Sequence, residues 1–387
     1  ELEKIEKIIA KIDSDPESEE VKEDALFSME NITRANLQTI TVEVEDFNFE
    51  DLGNFLEVTS YIQLAAEPLL ASIQEIQIKN EKIYIHDKFA RIICYDMQGK
   101  MIFKIDAKGA GPGEYTDVNT FVINEQSREL IIYDNHKQSL LFYNADNGIF
   151  FKTQKLVKPD PTAMASLGGV YYYDNRYHSN YPNDTDLYYS LLVSKNAMIM
   201  DRHYFPHNDA ESSYRFRPTR QPFSYNDSVL YYCRNFDNVI YELNPDSLKA
   251  LYKIMLPDPL PFSKIENKIN GWELVKSKYS LGLESIYKCN NLLYFQFSKD
   301  GFLQSALYDL IQEKQIYCGK RLTDKVGKSV PIFQLIDGVY KGQFWGVLTP
   351  ETIGYALSKE PKDYPDIFRK YDPDTDNPII AFYKVVQ

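Results

Sequence analysis

Short runs in which apolar and polar residues alternate recur along this chain. Each stops at Asp, Asn, Gln or Gly, and a period of two broken that way predicts strands joined by tight turns. The pattern is plainest where it is spelled twice, as KIYIHDKFARIICYDMQGKMIFKI from Lys82 and as ELIIYDNHKQSLLFYNADNGIFFKT from Glu129. Each spelling reads strand, turn, strand, turn, strand. One such sheet cannot bury both of its own faces, so it needs neighbours built alike.

Sets of four strands continue on both sides of these two. The first set takes residues 73–78, 82–87, 91–96 and 101–105, and the second takes 118–123, 129–134, 139–144 and 149–156. A third takes 163–167, 169–173, 187–194 and 197–205, with a polar insertion over 174–186. The fourth takes 223–225, 228–233, 239–244 and 250–256, turning at Asn244-Pro245-Asp246. The fifth takes 280–287, 292–297, 304–310 and 313–318, after a segment in which Ile265, Ile269, Trp272 and Val275 recur at helical spacing and predict a buried stripe. The sixth offers 332–335 and 339–347, a helix-like insertion over 351–370, and a last strand over 378–386. The run FLEVTSYIQL over 55–64 has no nearby partner. Pairing it with the last strand would close the ring and leave no open seam.

The expected fold is therefore all-β: a six-bladed β-propeller of four-stranded antiparallel blades over residues 55–387, its last blade closed by both chain ends, with short helical insertions. Residues 1–54 read as a leader: an amphipathic helix over 1–12, an acidic connector over 13–24 and a strand over 39–44. A β-sandwich would also need many short strands, but it would not predict recurring sets of four.

Composition narrows the function classes. Of 387 residues, 14% are aromatic and 30 are Tyr, which suits strands. A net charge of −13 with no Lys/Arg cluster speaks against a nucleic-acid groove. No apolar run reaches the roughly 20 residues that span a bilayer. Cys94, Cys233, Cys289 and Cys318 match no metal-binding spacing and read as small buried residues.

Gly109-Ala110-Gly111-Pro112-Gly113-Glu114-Tyr115 after a strand ending KID, the pairs IYIHD and IICYD, the start VTSYIQL and the ending NPIIAFYKV resemble the six-bladed β-propeller family of exported Bacteroidetes proteins, related in shape to NHL-type repeats. The likeness covers residue 55 to the C-terminus and is strongest over 73–156. It implies export to the periplasm or cell envelope, often with a lipid anchor at an N-terminal cysteine. No cysteine lies near Glu1, and a chain that starts at Glu1 is expected to have lost a leader. The family implies no reaction.

Candidate chemistry is sparse. The GAGPGEY stretch reads as a structural turn: Gly109, Gly111 and Gly113 permit unusual backbone angles, Pro112 stiffens the crossing, and Glu114 can accept hydrogen bonds before Tyr115. A phosphate loop would need a following helix. Asp372, Asp374, Asp376 and Asn377 form an oxygen-rich loop that could hold calcium, although Asx turns use the same residues. His203 and His207 are four apart, with Pro206 against a helix, and His86 and His136 lie near matching strand ends that need not share a site. The insertion YYYDNRYHSNYPNDTDLYY joins flat rings to directional polar groups, so Tyr177, His178, Tyr181 and Asp184 are the candidate ligand-binding residues.

The expected protein is a monomeric exported binding module for a glycan, peptide or envelope protein, with no catalytic residues and no cofactor assigned. A metal-dependent hydrolase or lyase at the central channel is the alternative.

Overall fold

Polar residues at strand ends hold the turns with their own side chains. Asp96 Oδ1 accepts from the amides of Gln98 and Lys100, both at 2.9 Å. Asn144 Oδ1 accepts from Asp146 and Asn147, and Asp309 Oδ1 accepts from Ile311 and Gln312. An Asx side chain bonded two and three residues ahead reverses the chain tightly. Successive strands consequently pair as antiparallel neighbours.

The protein is seen as a computed structural model, which describes residues 32–33, 36–45, 56–156, 160–175, 188–197, 200–207, 219–226, 228–266, 270–320, 336–358 and 365–386. Six sheets form a propeller ring. Blade one is β3 (Ile73–Lys79), β4 (Lys82–Asp87), β5 (Ile92–Asp96) and β6 (Met101–Ile105). Blade two is β7 (Thr120–Asn124), β8 (Glu129–Asp134), β9 (Ser139–Asn144) and β10 (Phe150–Lys155). Blade three is β11 (Ala163–Leu167), β12 (Val170–Asp174), β13 (Tyr188–Ser194) and β14 (Met200–His207). Blade four is β15 (Phe223–Asn226), β16 (Val229–Cys233), β17 (Val239–Asn244) and β18 (Ser247–Met255). Blade five is β19 (Leu283–Cys289), β20 (Leu292–Lys299), β21 (Phe302–Asp309) and β22 (Lys314–Gly319).

Blade six joins the two ends of the chain. Its strands run β23 (Gly338–Tyr340), β24 (Gln343–Leu348), β25 (Ile379–Val385) and β2 (Leu56–Gln63), with Tyr61 opposite Ala381. The early strand thus completes the last blade, as its lack of a local partner predicted. One early strand goes elsewhere: β1 (Gln38–Thr41) runs parallel to β18 and makes a fifth strand on blade four.

The core lies between blades. Tyr84, Ile92 and Cys94 of blade one meet Phe121, Leu130 and Leu141 of blade two, and an equivalent apolar cluster fills each of the other five junctions. All four cysteines are buried, and none is in a disulfide among the described residues. Strand alternation drives this arrangement, because each blade feeds two junctions. On β25, Ile379, Ala381 and Tyr383 pack toward blade five, while Ile380 and Phe382 pack toward blade one.

Two local expectations need correction. Residues 339–347 are not one strand but the hairpin β23–β24, which turns at Lys341 and Gly342 with φ of 48° and 68°. Between blades four and five, two short helices replace one: α1 (Phe262–Glu266) and α2 (Gly271–Val275), the second capped by Asn270. The break rotates Trp272 outward to 75% exposure, and Leu274 takes the buried place beside Ile265 and Leu281. The blade-six insertion contains α3 (Pro350–Ser358) and α4 (Asp366–Arg369). The expected helix over 1–12, the strand over 332–335 and Ile269 lie outside the described residues.

Candidate functional site

The innermost strand of each blade borders the axis, and on β3 the alternation IQEIQIK sorts the side chains. Ile76 and Ile78 enter the core between blades six and one. Glu75 and Gln77 turn the other way, toward β7. Gln77 Nε2 donates to Glu75 Oε1 at 2.9 Å and to the Phe121 carbonyl at 2.8 Å. Glu75 Oε2 accepts from Thr120 Oγ1 at 3.1 Å and from the Phe121 amide at 3.4 Å.

At the end of β3, Lys79 crosses the axis. Its Nζ stands 3.1 Å from Glu125 Oε2 of blade two and 3.4 Å from the ring centroid of Tyr225, on blade four opposite. The Tyr225 hydroxyl is itself anchored, accepting the Ser166 amide at 2.8 Å. An ammonium on an aromatic face with a carboxylate beside it is a stable closure. The axis is therefore obstructed where the inner strands finish.

Above that floor lies a cavity of about 350 Å³. Asp117, Asn119, Asn135, His136, Arg220 and Gln221 line its mouth, where the inner strands begin, and Glu75, Gln77, Tyr287 and Asp337 line its depth. Arg220 is committed at the rim, with Nε 2.9 Å from Glu284 Oε2. Asp337 Oδ2 accepts the Val347 amide at 2.8 Å.

Enclosure changes the acid–base character of these groups. Removal from water pushes Glu75 up to about 7, against the opposing hydrogen bonds from Gln77, Thr120 and Phe121. Loss of water likewise carries Asp337 to about 7, opposed by the Val347 amide. His86, buried at the same cavity, is pushed down to about 4 by burial and is neutral at pH 7. Poorly solvated ions become their neutral forms, which is why both carboxyls sit near neutrality.

The ring brings His86 and His136 to one cavity, although they belong to different blades. His203 lies on β14, its ring 5.0 Å from that of Tyr189, and His207 ends the same strand away from the axis. Tyr177, His178, Tyr181 and Asp184 lie outside the described residues. In the DPDTDN loop, Asp376 Oδ2 accepts the Asp372 amide and Asp372 Oδ1 accepts the Asp374 amide. Asn377 is buried and bonds Ala65, Pro68 and Leu70, tying the loop to the chain's early segment. Among the described residues, no three His, Cys, Asp or Glu side chains are grouped to hold a metal ion.

The GAGPGEY stretch lies between β6 and β7. Gly111 N donates to Glu114 Oε2 at 2.7 Å, Gly109 N donates to the Tyr115 carbonyl, and Lys137 Nζ reaches the carbonyls of Gly109 and Glu114. Gly113 has φ +75°, and a Cβ there would stand 2.7 Å from Phe150 Cγ. The chain continues past Pro112 and Tyr115 into β7, a strand. Glu75, Gln77, Lys79, Tyr225 and Asp337 were missed by reasoning from sequence. The signal was present for two of them, since polar residues at alternate places of an innermost strand have only the axis or a blade junction to face.

A six-bladed β-propeller with a polar axial funnel closed at one end is the class that fold and site define. The chain belongs to the family described as "Domain of unknown function (DUF4934)", whose profile matches residues 37–384. Among solved structures it is similar to a Bacteroides fragilis protein described as a "Putative exported protein", with 15% identity and TM-score 0.73, over 90% of this chain and 100% of that one. A member of the DUF4221 family from Bacteroides vulgatus is 11% identical with TM-score 0.49, over 87% of this chain and 99% of the other. No curated protein matches the chain. At these identities the likeness to solved structures establishes the fold alone.

Proposed function

We propose that this chain is an exported binding module that takes its ligand in the axial funnel. The single observation that carries the reading is the blind cavity of about 350 Å³, polar from mouth to depth and walled by rigid inner strands. A concave site with a few fixed polar groups is the usual form of a ligand pocket. Blades supply the rigidity, since their strands are held on both faces by apolar junctions. Export is supported by the description of the Bacteroides fragilis relative, and among the described residues no helix is long and apolar enough to cross a membrane. Peptides, glycans and envelope proteins all present groups that such a funnel could grip. A metal-dependent hydrolase or lyase has less support, because the polar groups of the funnel are spread around the ring.

The test is a thermal-shift screen of glycan and peptide libraries, repeated on Gln221→Trp. Gln221 stands at the mouth, so an indole there would narrow the entrance. The expected result is a hit that stabilises the protein and is lost in the variant. A hit of unchanged affinity in Gln221→Trp would place the ligand elsewhere and sink the reading.

A further inference from the structure

Hydrogen-bond accounting in the depth of the funnel shows a surplus of acceptors. Gln77 uses both amide protons on Glu75 and the Phe121 carbonyl, which fixes its orientation. Its Oε1 is then buried with no partner among the described residues. Ser224 also lines the cavity, is 3% exposed, and its Oγ is equally without a partner among them. Asp337 Oδ2 accepts one amide, and no donor among the described residues reaches Oδ1. A buried acceptor left unpaired costs about 1–3 kcal/mol. Gln77 Oε1 and Ser224 Oγ are closed off by the fold, which leaves the carboxyls of Glu75 and Asp337 as the acceptors a donor-rich ligand in the cavity can meet.

Charge points the same way. Glu75, Asp117 and Asp337 line the cavity. The two cations that line it each face a carboxylate outside it, Lys79 Nζ on Glu125 and Arg220 Nε, at the exposed rim, on Glu284. We propose that the funnel binds a cationic nitrogen group, guanidinium or ammonium, with Glu75 and Asp337 as its principal acceptors. This rests on the binding-module reading and names the ligand chemistry within it. A guanidinium offers five donors and no acceptor, the complement of this floor.

The proposal has a proton signature. Glu75 faces Gln77 on its own strand, Thr120 and the Phe121 amide on β7, and Tyr225 on β15. Asp337 faces the Val347 amide on β24 and interacts with Tyr287 on β19 and Tyr294 on β20. His86, neutral at pH 7, faces Asp87 and Asp117. Glu75 and Asp337 are both raised to about 7, so a bound cation should ionise them and release protons.

The experiment is calorimetric titration of the whole chain at about pH 6 and about pH 8, in two buffers of different ionisation heat. The probes are acetyl-Gly-Arg-Gly-amide, acetyl-Gly-Lys-Gly-amide, agmatine, acetyl-Gly-Gln-Gly-amide and maltotriose. At least one cationic probe should bind, release protons, and bind about tenfold more tightly at the higher pH. Glu75→Gln and Asp337→Asn should each weaken it about tenfold with the melting temperature kept or raised. Binding of the Arg or Lys peptide without agmatine would assign the group to a peptide, and the reverse would assign it to a small free amine. Equal binding of maltotriose or of the Gln peptide would overturn the cation and leave the binding module standing. Binding of no probe, while the library screen yields a funnel ligand without a cationic group, would do the same. No funnel ligand of any class would overturn both.

Discussion

The seam between blades one and two and the funnel on the axis are built from the same strands, yet they treat polar groups in opposite ways. In the seam, buried phenols find carbonyls: Tyr84 donates to Ala145, Tyr115 to Ala90 at 2.7 Å, and Tyr143 to Gly113 at 2.7 Å. In the funnel, Gln77 Oε1 and Ser224 Oγ are buried without a partner among the described residues, and two carboxyls sit near pH 7. That seam is saturated on folding, whereas in two other seams Tyr95 and Tyr172 keep buried hydroxyls without a partner among the described residues. What sets the funnel apart is that two poorly solvated carboxyls, Glu75 and Asp337, line an open cavity.

Breaking the ring should have the largest effect. Deleting residues 378–387 removes β25, leaves β2 without its neighbour, and strips apolar residues from two junctions at once. The truncated chain should show no cooperative melt by circular dichroism, and a melt within a few degrees of the parent would refute closure by both ends. Gly113→Val comes next, because a β-branched residue at φ +75° with its Cβ against Phe150 combines backbone strain and overpacking. Denaturant titration should show a loss of about 3 kcal/mol or more.

The funnel acids should behave in the reverse sense. A carboxyl whose folded pKa is raised binds protons more readily in the folded state. The stability it contributes is therefore fully present below its unfolded pKa near 4 to 4.5 and is lost as pH rises through about 7. His86 opposes this, since its folded value near 4 lies below the unfolded one and favours stability as pH climbs toward 6.5. Comparing variants isolates the acids: Glu75→Gln and Asp337→Asn should stabilise the ligand-free protein by about 1–2 kcal/mol near pH 8 and by little near pH 4.5. Destabilisation near pH 8 would show that the ionised carboxylates hold the ring together.

The smallest contrast is a single hydroxyl on each side. Tyr143→Phe should cost about 1 kcal/mol, because it strands the Gly113 carbonyl inside the seam. Ser224→Ala should be neutral or slightly stabilising, since it removes an orphaned oxygen. Equal losses at both sites would erase the difference between seam and funnel.

The blades were legible because each strand carries its own alternation and each turn its own Asx residue, as at Asp96 and Asn144. The closure was legible because residues 56–63 alternate yet have no partner close in sequence. Where a second constraint intruded, reading failed. Residues 339–347 alternate straight through the turn at Lys341 and Gly342, which hid the stop that Gly342 marks, and Trp272 matches a helical stripe that Asn270 interrupts. The histidine pair shows the same limit for the site: His86 and His136 stand 50 positions apart, and only the ring's geometry brings them to one mouth.

Local chemistry thus determined the strands, their turns, their grouping in fours and the need to close a ring, since alternation and turn preference act over a few residues. Tertiary structure decided that β1 adds to blade four, that Lys79 meets Tyr225 across the axis, and that Glu75 and Asp337 share a poorly solvated cavity. Those outcomes depend on which surfaces face each other when six sheets meet around an axis. Desolvation and convergence are properties of that meeting, and no single stretch of chain contains them.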